Sequence, residues 1–163
     1  MMPLISDSLK ASLVEQLGME KHNASSYLYI AAFLHGKGLH KLAKHFEQQH
    51  DEEQQHSLMI YRLLTDLGET FAMPDVTGCS VPFETIIDIA ELYMATEFTT
   101  TESLDEIKHQ SVDENCPVVE EVMRKMIALQ QNEYAEATDF QDKAELTGGD
   151  WKFVLLWNNS LGD

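Results

Sequence analysis

Four glutamates interrupt the apolar stripes of four long helical segments in this chain of 163 residues. Around Glu20, Glu53, Glu97 and Glu133, apolar residues recur every three or four positions, which is typical of the buried face of a helix. The pattern therefore predicts that all four side chains point inward. Buried carboxylates are costly to desolvate, and they repel one another when they lie close together. A fold that accepts this pattern has to place cations between them.

Helix-start and helix-stop signals divide the chain into four long helices and a short one. The long helices are predicted at about 7–34, 39–67, 82–110 and 115–146, and the short one at about 150–158. The third is placed at Pro82 because proline suits the first turn of a helix. The inward faces are predicted to include Leu17, Ala24, Tyr27 and Leu28 in the first helix and Val122 and Met126 in the fourth. The expected fold class is all-α, with a single domain over residues 1–163.

The lengths of the connections predict the topology. The turns around residues 36–38 and 115–117 are short, so each should join two antiparallel helices. The connection at residues 68–81 can reach at most about 48 Å, whereas a helix of about 28 residues is roughly 42 Å long. It can therefore run the whole length of the bundle and make the second and third helices parallel. A four-helix bundle with one such crossover has the ferritin-like arrangement.

This topology brings the four glutamates to one level. Glu20 and Glu53 are nearly equidistant from the centre of the first turn, and Glu97 and Glu133 are similarly placed about the third. Glu53 and Glu97 lie about equally deep in helices that run the same way. At 1.5 Å per residue, the mismatches amount to one helical turn or less.

A Glu-x-x-His pair adds an imidazole at the same level. Glu53 and His56 are three residues apart, so both side chains leave the same face of the second helix. Carboxylates with an imidazole suit iron, and two cations would remove the repulsion among the carboxylates. Most glutamates are solvated surface charges, but the position of these four on apolar stripes argues against that alternative. The sequence thus predicts a two-metal site inside the bundle.

Charge and composition narrow the classes of partner. The net charge of −17 argues against a nucleic-acid partner, because phosphate contacts need Lys and Arg, and it favours the attraction of cations. No apolar run reaches the roughly 18 residues of a membrane span, and residues 1–5 are not typical of a signal peptide. We therefore expect no membrane partner and a cytoplasmic location. Cys79 and Cys116 are expected to be free thiols.

These features resemble those of the bacterial non-haem ferritins. The resemblance lies in Glu20 and Tyr27 of MEKHNASSYLY, Glu53 and His56 of HDEEQQHSLM, Glu97 of TEFTTTESL, and Gln130 and Glu133 of LQQNEY. It extends over all four long helices, the crossover and the short terminal helix. It implies a ferroxidase that oxidises Fe(II) with oxygen or peroxide and stores the product as mineral inside a homo-oligomeric shell of 24 subunits.

The same resemblance implies the ligands. Two irons per subunit would be held by Glu20, Glu53, His56, Glu97 and Glu133. Glu53 would bridge the pair, with Glu20 and His56 on the first iron and the remaining two on the second. No haem is expected.

Two further residues match family positions beside the pair. Gln130 matches the family's glutamine, and Tyr27 matches its nearby tyrosine. Tyr27 lies seven positions after Glu20 on the same helix face. Its role, either a hydrogen-bond donor in the core or a redox-active group, stays open at this stage.

The chain departs from the family next to the pair. Bacterial ferritins often bind a third iron there through additional glutamates, of which Glu52 is present. The fourth-helix counterparts are Leu129 and Asn132. Any third iron is therefore expected to bind weakly, unless Asp51 or Glu136 rebuilds the site.

Two other classes of protein remain as alternatives. A rubrerythrin-like or bacterioferritin-like oxidoreductase would carry a second Glu-x-x-His on the fourth helix, where Glu136 stands instead of histidine. A bacterioferritin would also offer a haem methionine at the position of Gln54. A metal-inert structural bundle would not need the complete ligand set.

Overall fold

A computed structural model describes residues 4–163 of the chain. Those residues form five helices and no strand: α1 (Asp7–Gly36), α2 (His40–Asp66), α3 (Ile86–Asp113), α4 (Pro117–Leu146) and α5 (Trp151–Ser160). The all-α prediction is confirmed. Met1, Met2 and Pro3, the start of the segment considered above as a signal peptide, lie outside the described residues. None of the helices in residues 4–163 combines the length and the apolar character that crossing a bilayer needs.

The four long helices form a bundle in which α1 packs mainly on α2 and α3 mainly on α4. Residues 67–85 connect the two pairs and run along the outside of α1. Gly18 packs against Pro74, and further along both segments the hydroxyl of Tyr29 donates a hydrogen bond to the backbone oxygen of Val81 at 2.6 Å. A Cβ atom at Gly18 would lie 3.1 Å from Pro74, so glycine permits this close approach. The crossover thus returns the chain to the end where α2 began, and α2 and α3 run parallel as predicted.

The third helix begins later than its proline suggested. Pro82 lies in the connection, and α3 starts at Ile86 with Thr85 as its N-cap. The carboxylate of Asp88 accepts hydrogen bonds from the backbone nitrogens of Glu84 and Thr85 at 2.7 and 2.8 Å. This capping box satisfies donors that would otherwise lack partners at the helix start, and it outweighs the preference of proline for a first turn.

Two residues predicted to face inward do not. Leu28 is 44% exposed, whereas its neighbour Tyr27 is fully buried. In α4, Val122 is only partly buried, and Met123 occupies the interior with no exposed surface. In both cases the prediction was wrong by one position, which is a rotation of about 100° around a helix of 3.6 residues per turn.

The apolar core is divided into two clusters. One lies toward the α1–α2 turn and includes Tyr27, Phe46 and Tyr93, while the other lies toward the α3–α4 turn and includes Leu17 and Met126. The level of the four glutamates falls between the two clusters. Apolar packing on both sides therefore fixes the helices that carry the acidic layer and limits the access of water to it.

The short helix α5 closes the end of the bundle at the α1–α2 turn. The side-chain oxygen of Asn158 accepts hydrogen bonds from the backbone nitrogens of Lys41 and Leu42 at 3.1 and 3.0 Å, which caps the start of α2. Val154 is fully buried against the bundle. The opposite face of α5 leaves Phe153 and Leu156 more than half exposed, and apolar surface of this kind is typical of a contact with another chain.

Candidate metal centre

The five predicted ligands meet at one level of the bundle. They form two groups, Glu20 with Glu53 and His56, and Glu53 with Glu97 and Glu133, and all five side chains are buried. Within each group, one ligand atom per residue lies within 4.8 Å of the others. Glu53 belongs to both groups. The arrangement therefore has the form of two adjacent cation positions that share one carboxylate.

The imidazole ring of His56 lies between the two ligand groups. Its Nδ1 atom lies 3.6 Å from Oε2 of Glu53 and 4.0 Å from Oε2 of Glu20, and its Nε2 atom lies 3.2 Å from Oε1 of Glu133. Burial lowers the pKa of His56. A lowered pKa favours the neutral imidazole, which is the form that can give a lone pair to a metal.

Several carboxylate oxygens in this layer have no hydrogen-bond partner within the described structure. They are both oxygens of Glu53, Oε2 of Glu20 and Oε2 of Glu133. Buried polar atoms are almost always paired in folded proteins, so unpaired ones call for a ligand. Hard divalent cations bind carboxylate oxygen, and the positions of these atoms fit cations placed between the helices.

Glu97 differs because both of its carboxylate oxygens have donors. The hydroxyl of Tyr27 donates to Oε1, and the amide nitrogen of Gln130 donates to Oε2. Gln130 also donates to the backbone oxygen of Glu97 at 3.2 Å. The two residues singled out beside the pair thus hold one carboxylate of the layer, and the contact of Tyr27 is that of a hydrogen-bond donor.

Burial changes the protonation of the carboxylates. It raises the pKa of Glu97 to about 7, although the hydrogen bonds from Tyr27 and Gln130 oppose the rise. It raises the pKa of Glu133 to about 9, with further contributions from the charges of Glu97 and Glu20. It also raises the pKa of Glu53 well above its usual range, and the charge of Glu20 adds to this effect. Without metal, the layer therefore retains protons at neutral pH.

The sequence analysis did not predict a chain of hydrogen bonds that ends at Glu20. Gln16 is buried, and its amide nitrogen donates to Oε1 of Glu20 at 3.0 Å. The hydroxyl of Ser103, on α3, donates to the amide oxygen of Gln16. Gln16 lies one turn before Glu20 and three residues after Leu13, so its polar character on the apolar stripe was a signal that could have identified it.

The residues considered for a third iron lie on the surface of α2 and α4. Glu52 and Asn132 are exposed, and Leu129 is 43% exposed. Glu136 accepts a hydrogen bond from the amide nitrogen of Gln49 at 2.8 Å. Burial raises the pKa of Glu52, and the charge of Glu136 adds to the rise. Glu52 thus lies close to both Glu136 and Glu133, although neither Glu52 nor Glu136 belongs to the two ligand groups found among the described residues.

Comparison with known proteins identifies the family of the chain. The family profile described as ferritin-like domain matches residues 10–147. The chain belongs to the ferritin family. Ferritin BfrB of Mycolicibacterium smegmatis is 29% identical over 138 residues, which cover 85% of this chain and 76% of that protein. A probable bacterial non-heme ferritin-like protein of Haemophilus influenzae is 19% identical over 160 residues, which cover 98% of this chain and 97% of that protein.

Solved ferritin structures share the fold. An open-pore ferritin from the archaeon Archaeoglobus fulgidus superposes with a TM-score of 0.91 at 22% identity, covering 99% of this chain and 100% of that one. The ferritin of Chlorobium tepidum superposes with a TM-score of 0.86 at 19% identity, covering 94% of this chain and 93% of that one. The expected ferritin-like bundle, with one long crossover and a short C-terminal helix, is confirmed. Iron storage is the general role that this family and fold support.

Proposed function

We propose that this ferritin is a ferroxidase, which oxidises Fe(II) at an intrasubunit two-iron centre and passes Fe(III) to a mineral store. The observation that carries the proposal is the pair of buried ligand groups that share Glu53. Within residues 4–163, neither oxygen of Glu53 has a hydrogen-bond donor, so each is available to a different cation. A purely structural carboxylate at this depth would be expected to have partners.

The two groups divide the ligands between the ions. Glu20, Glu53 and His56 would bind the first Fe(II), and Glu53, Glu97 and Glu133 would bind the second. Glu97, held on both oxygens by Tyr27 and Gln130, is the most restrained of these carboxylates. Restraint of this kind keeps a ligand in place while the metal changes its charge.

The proposed oxidation of Fe(II) is compatible with the protonation of the buried carboxylates. Two Fe(II) ions can give one electron each to a molecule of oxygen, which leaves with two protons as hydrogen peroxide. Glu97 and Glu133 have pKa values raised to about 7 and 9, so binding of the ions displaces protons from the site. The products are two Fe(III) ions, whose higher charge the carboxylate oxygens stabilise.

Storage requires an assembly that encloses the product. We propose a shell of 24 copies in the cytoplasm, on the basis of the resemblance to bacterial ferritins. Its support in this chain is the apolar face of α5, where Phe153, Leu155 and Leu156 are 56%, 45% and 64% exposed. Burying such side chains against another subunit would contribute about 25 cal/mol for each Å² of apolar surface removed from water.

One experiment tests both parts of the proposal. Metal-free protein is titrated with Fe(II) without oxygen, oxygen is then added, and the mass is measured under native conditions. We expect two Fe(II) bound per subunit, rapid formation of Fe(III), and a mass of about 440 kDa for 24 copies of an 18.5 kDa chain. A dimer that oxidises Fe(II) would instead favour the rubrerythrin-like alternative, and a protein that binds no Fe(II) would favour the inert bundle.

A further inference from the structure

Gln16 and Ser103 form a connection between the metal centre and the outer surface of the bundle. Gln16 is only 1% exposed and lies on α1 one turn before Glu20. Its amide nitrogen donates to Oε1 of Glu20 at 3.0 Å. Its amide oxygen accepts a hydrogen bond from the hydroxyl of Ser103, which lies on α3. Both ends of the Gln16 amide therefore form a hydrogen bond, and only the amide nitrogen contacts a predicted metal ligand, Glu20.

The Glu20 carboxylate decides which end of the Gln16 amide faces the metal centre, because a carboxylate can only accept hydrogen bonds. The hydroxyl of Ser103, which can donate or accept, then donates to the amide oxygen of Gln16. With the opposite orientation, the amide oxygen would face Oε1 of Glu20, and two acceptors would meet without a proton between them. Burial makes such a mismatch costly. Glu20 thus selects the orientation in which Gln16 acts as a donor, and Ser103 holds the amide oxygen at the other end.

The donor in turn makes the two oxygens of Glu20 unequal. Oε1 accepts from Gln16, whereas Oε2 has no hydrogen-bond partner in the part of the chain that the structure describes and lies 4.0 Å from Nδ1 of His56. Oε2 is therefore the oxygen that faces the first cation position. The arrangement favours attachment of Glu20 through a single oxygen, because Oε1 is turned toward the amide.

We propose that Gln16 is a positioning residue for the first metal ion, held in place by Ser103, and that it holds Glu20 as a ligand through Oε2 alone. This inference rests on the proposed two-iron centre. It assigns to Gln16 no contact with the ion or with oxygen. Removing an outer hydrogen-bond partner of a metal ligand costs about 10- to 100-fold in affinity, and the same range is expected for Gln16.

A matched pair of residues provides the control. Asn23 and Thr100 join the same two helices through a hydrogen bond of 2.9 Å, and both are buried. Among the described residues, neither forms a hydrogen bond with a carboxylate of the metal centre. Thr100→Val therefore deletes an α1–α3 hydrogen bond of the same kind as Ser103→Ala, but one that leaves Glu20 untouched.

The test uses Co(II) as the probe, because its visible absorption reports the number of ligands without any oxidation of the ion. The parent, Gln16→Met, Ser103→Ala and Thr100→Val are titrated anaerobically, and their melting temperatures are measured without metal. Methionine keeps the length of the glutamine side chain but removes the donor. We expect Gln16→Met to lower the affinity of the tighter site by about 10- to 100-fold and to alter the Co(II) spectrum as Glu20 changes its mode of binding.

Ser103→Ala should shift the affinity in the same direction by a smaller factor. A polar pocket of about 140 Å³ borders Ser103 and Gln110, so water can replace part of the lost hydrogen bond. If Gln16→Met does not fold, Ser103→Ala decides the question, and an unchanged affinity in that variant would overturn the proposal. Thr100→Val should lower the melting temperature but keep the affinity and the spectrum of the parent.

Three results would contradict the assignment in different ways. A parent-like affinity and spectrum in Gln16→Met would show that Gln16 does not position Glu20. An equal loss of affinity in Thr100→Val would show that general packing between α1 and α3 is responsible. A parent that binds no Co(II) would overturn the two-iron centre itself and this inference with it.

Discussion

His56 directs its Nδ1 atom toward Oε2 of Glu53, 3.6 Å away and one helical turn earlier on α2. A single face of α2 thus presents an imidazole and a carboxylate to the same cation position. Neither oxygen of Glu53 has a hydrogen-bond partner in residues 4–163, and Glu53 also belongs to the group formed with Glu97 and Glu133. The central place of Glu53 in the proposed reaction follows from these contacts.

Glu53→Ala should slow the fast phase of Fe(II) oxidation more than Glu20→Ala or Glu133→Ala. The reason is that Glu53 would serve both ions, whereas each of the other two would serve one. Loss of an outer partner of a ligand costs up to about 100-fold, so loss of the shared ligand should exceed that. Rapid-mixing absorbance after addition of oxygen measures the effect. Asp66→Ala, which removes an exposed carboxylate at the end of α2, is the control, and parent-like kinetics in Glu53→Ala would disprove the bridging role.

Divalent metal should stabilise the metal-free protein against heat. Ions bound between the carboxylates remove their repulsion and bind only the folded state, which stabilises it by about 2.7 kcal/mol per site at a concentration of 100 times Kd. Scanning calorimetry with and without Co(II) measures the shift in melting temperature. Asp66→Asn, an exposed change at the end of α2, should keep the full shift, whereas Glu53→Gln should lose most of it. An unchanged melting temperature in the parent would be incompatible with a buried site.

The metal-free protein should lose stability as the pH rises from 5 to 9. Folding raises the pKa of Glu97 and Glu133 from 4.5 to about 7 and about 9, so the folded state binds protons more tightly than the unfolded chain. The stability from these groups is complete below their unfolded pKa and is lost as the pH passes through 7 and 9. Urea denaturation at pH 5, 7 and 9 measures the trend. In the double variant Glu97→Gln with Glu133→Gln, which cannot ionise, the trend should be weaker.

Restoring carboxylates at two exposed positions of α4 should add a third binding event per subunit. The variant is Leu129→Glu with Asn132→Glu, and the exposure of both positions makes the change compatible with the fold. Glu52 is the remaining acid of the family's accessory set, so the parent is expected to bind a third Fe(II) only weakly. Anaerobic titration of Fe(II) counts the ions bound.

The control for this variant adds the same charge elsewhere on the helix. Ala128→Glu with Gln131→Glu uses the same spacing on exposed positions rotated by about 100° around α4. This control variant should bind Fe(II) with the stoichiometry and affinity of the parent. Three ions of comparable affinity in the parent would show that Asp51 or Glu136 already completes the accessory site.

The sequence was sufficient to predict the bundle and the level of the glutamates because both depend on regular geometry. The period of 3.6 residues and the rise of 1.5 Å per residue place Glu20 and Glu97 at matching heights even when helix ends are misjudged by a turn. The capping box could also have been predicted, because Thr85 and Asp88 have the spacing that such a box requires. Pro82 misled the prediction because two start signals competed within four positions.

Other features depend on contacts between distant parts of the chain. The outward turn of Leu28 is set by how α1 rotates against its neighbours, which a stripe of apolar residues defines only to within one position. The position of the Gln16 side chain depends on a hydrogen bond from Ser103 on a different helix. Which carboxylate oxygens remain unpaired is likewise decided by tertiary hydrogen bonds, such as those from Tyr27 and Gln130 to Glu97. Sequence periodicity carries no information about these pairings.

The most direct test of the two-iron centre is anomalous X-ray diffraction at the iron edge from crystals loaded anaerobically with Fe(II). The account predicts two peaks per subunit, about 3.5–4 Å apart as in other paired-metal sites, with Glu53 between them. Glu20 and His56 should contact one peak, and Glu97 and Glu133 the other. Side chains that point away from any peak, or iron bound only at the surface of the subunit, would contradict the account.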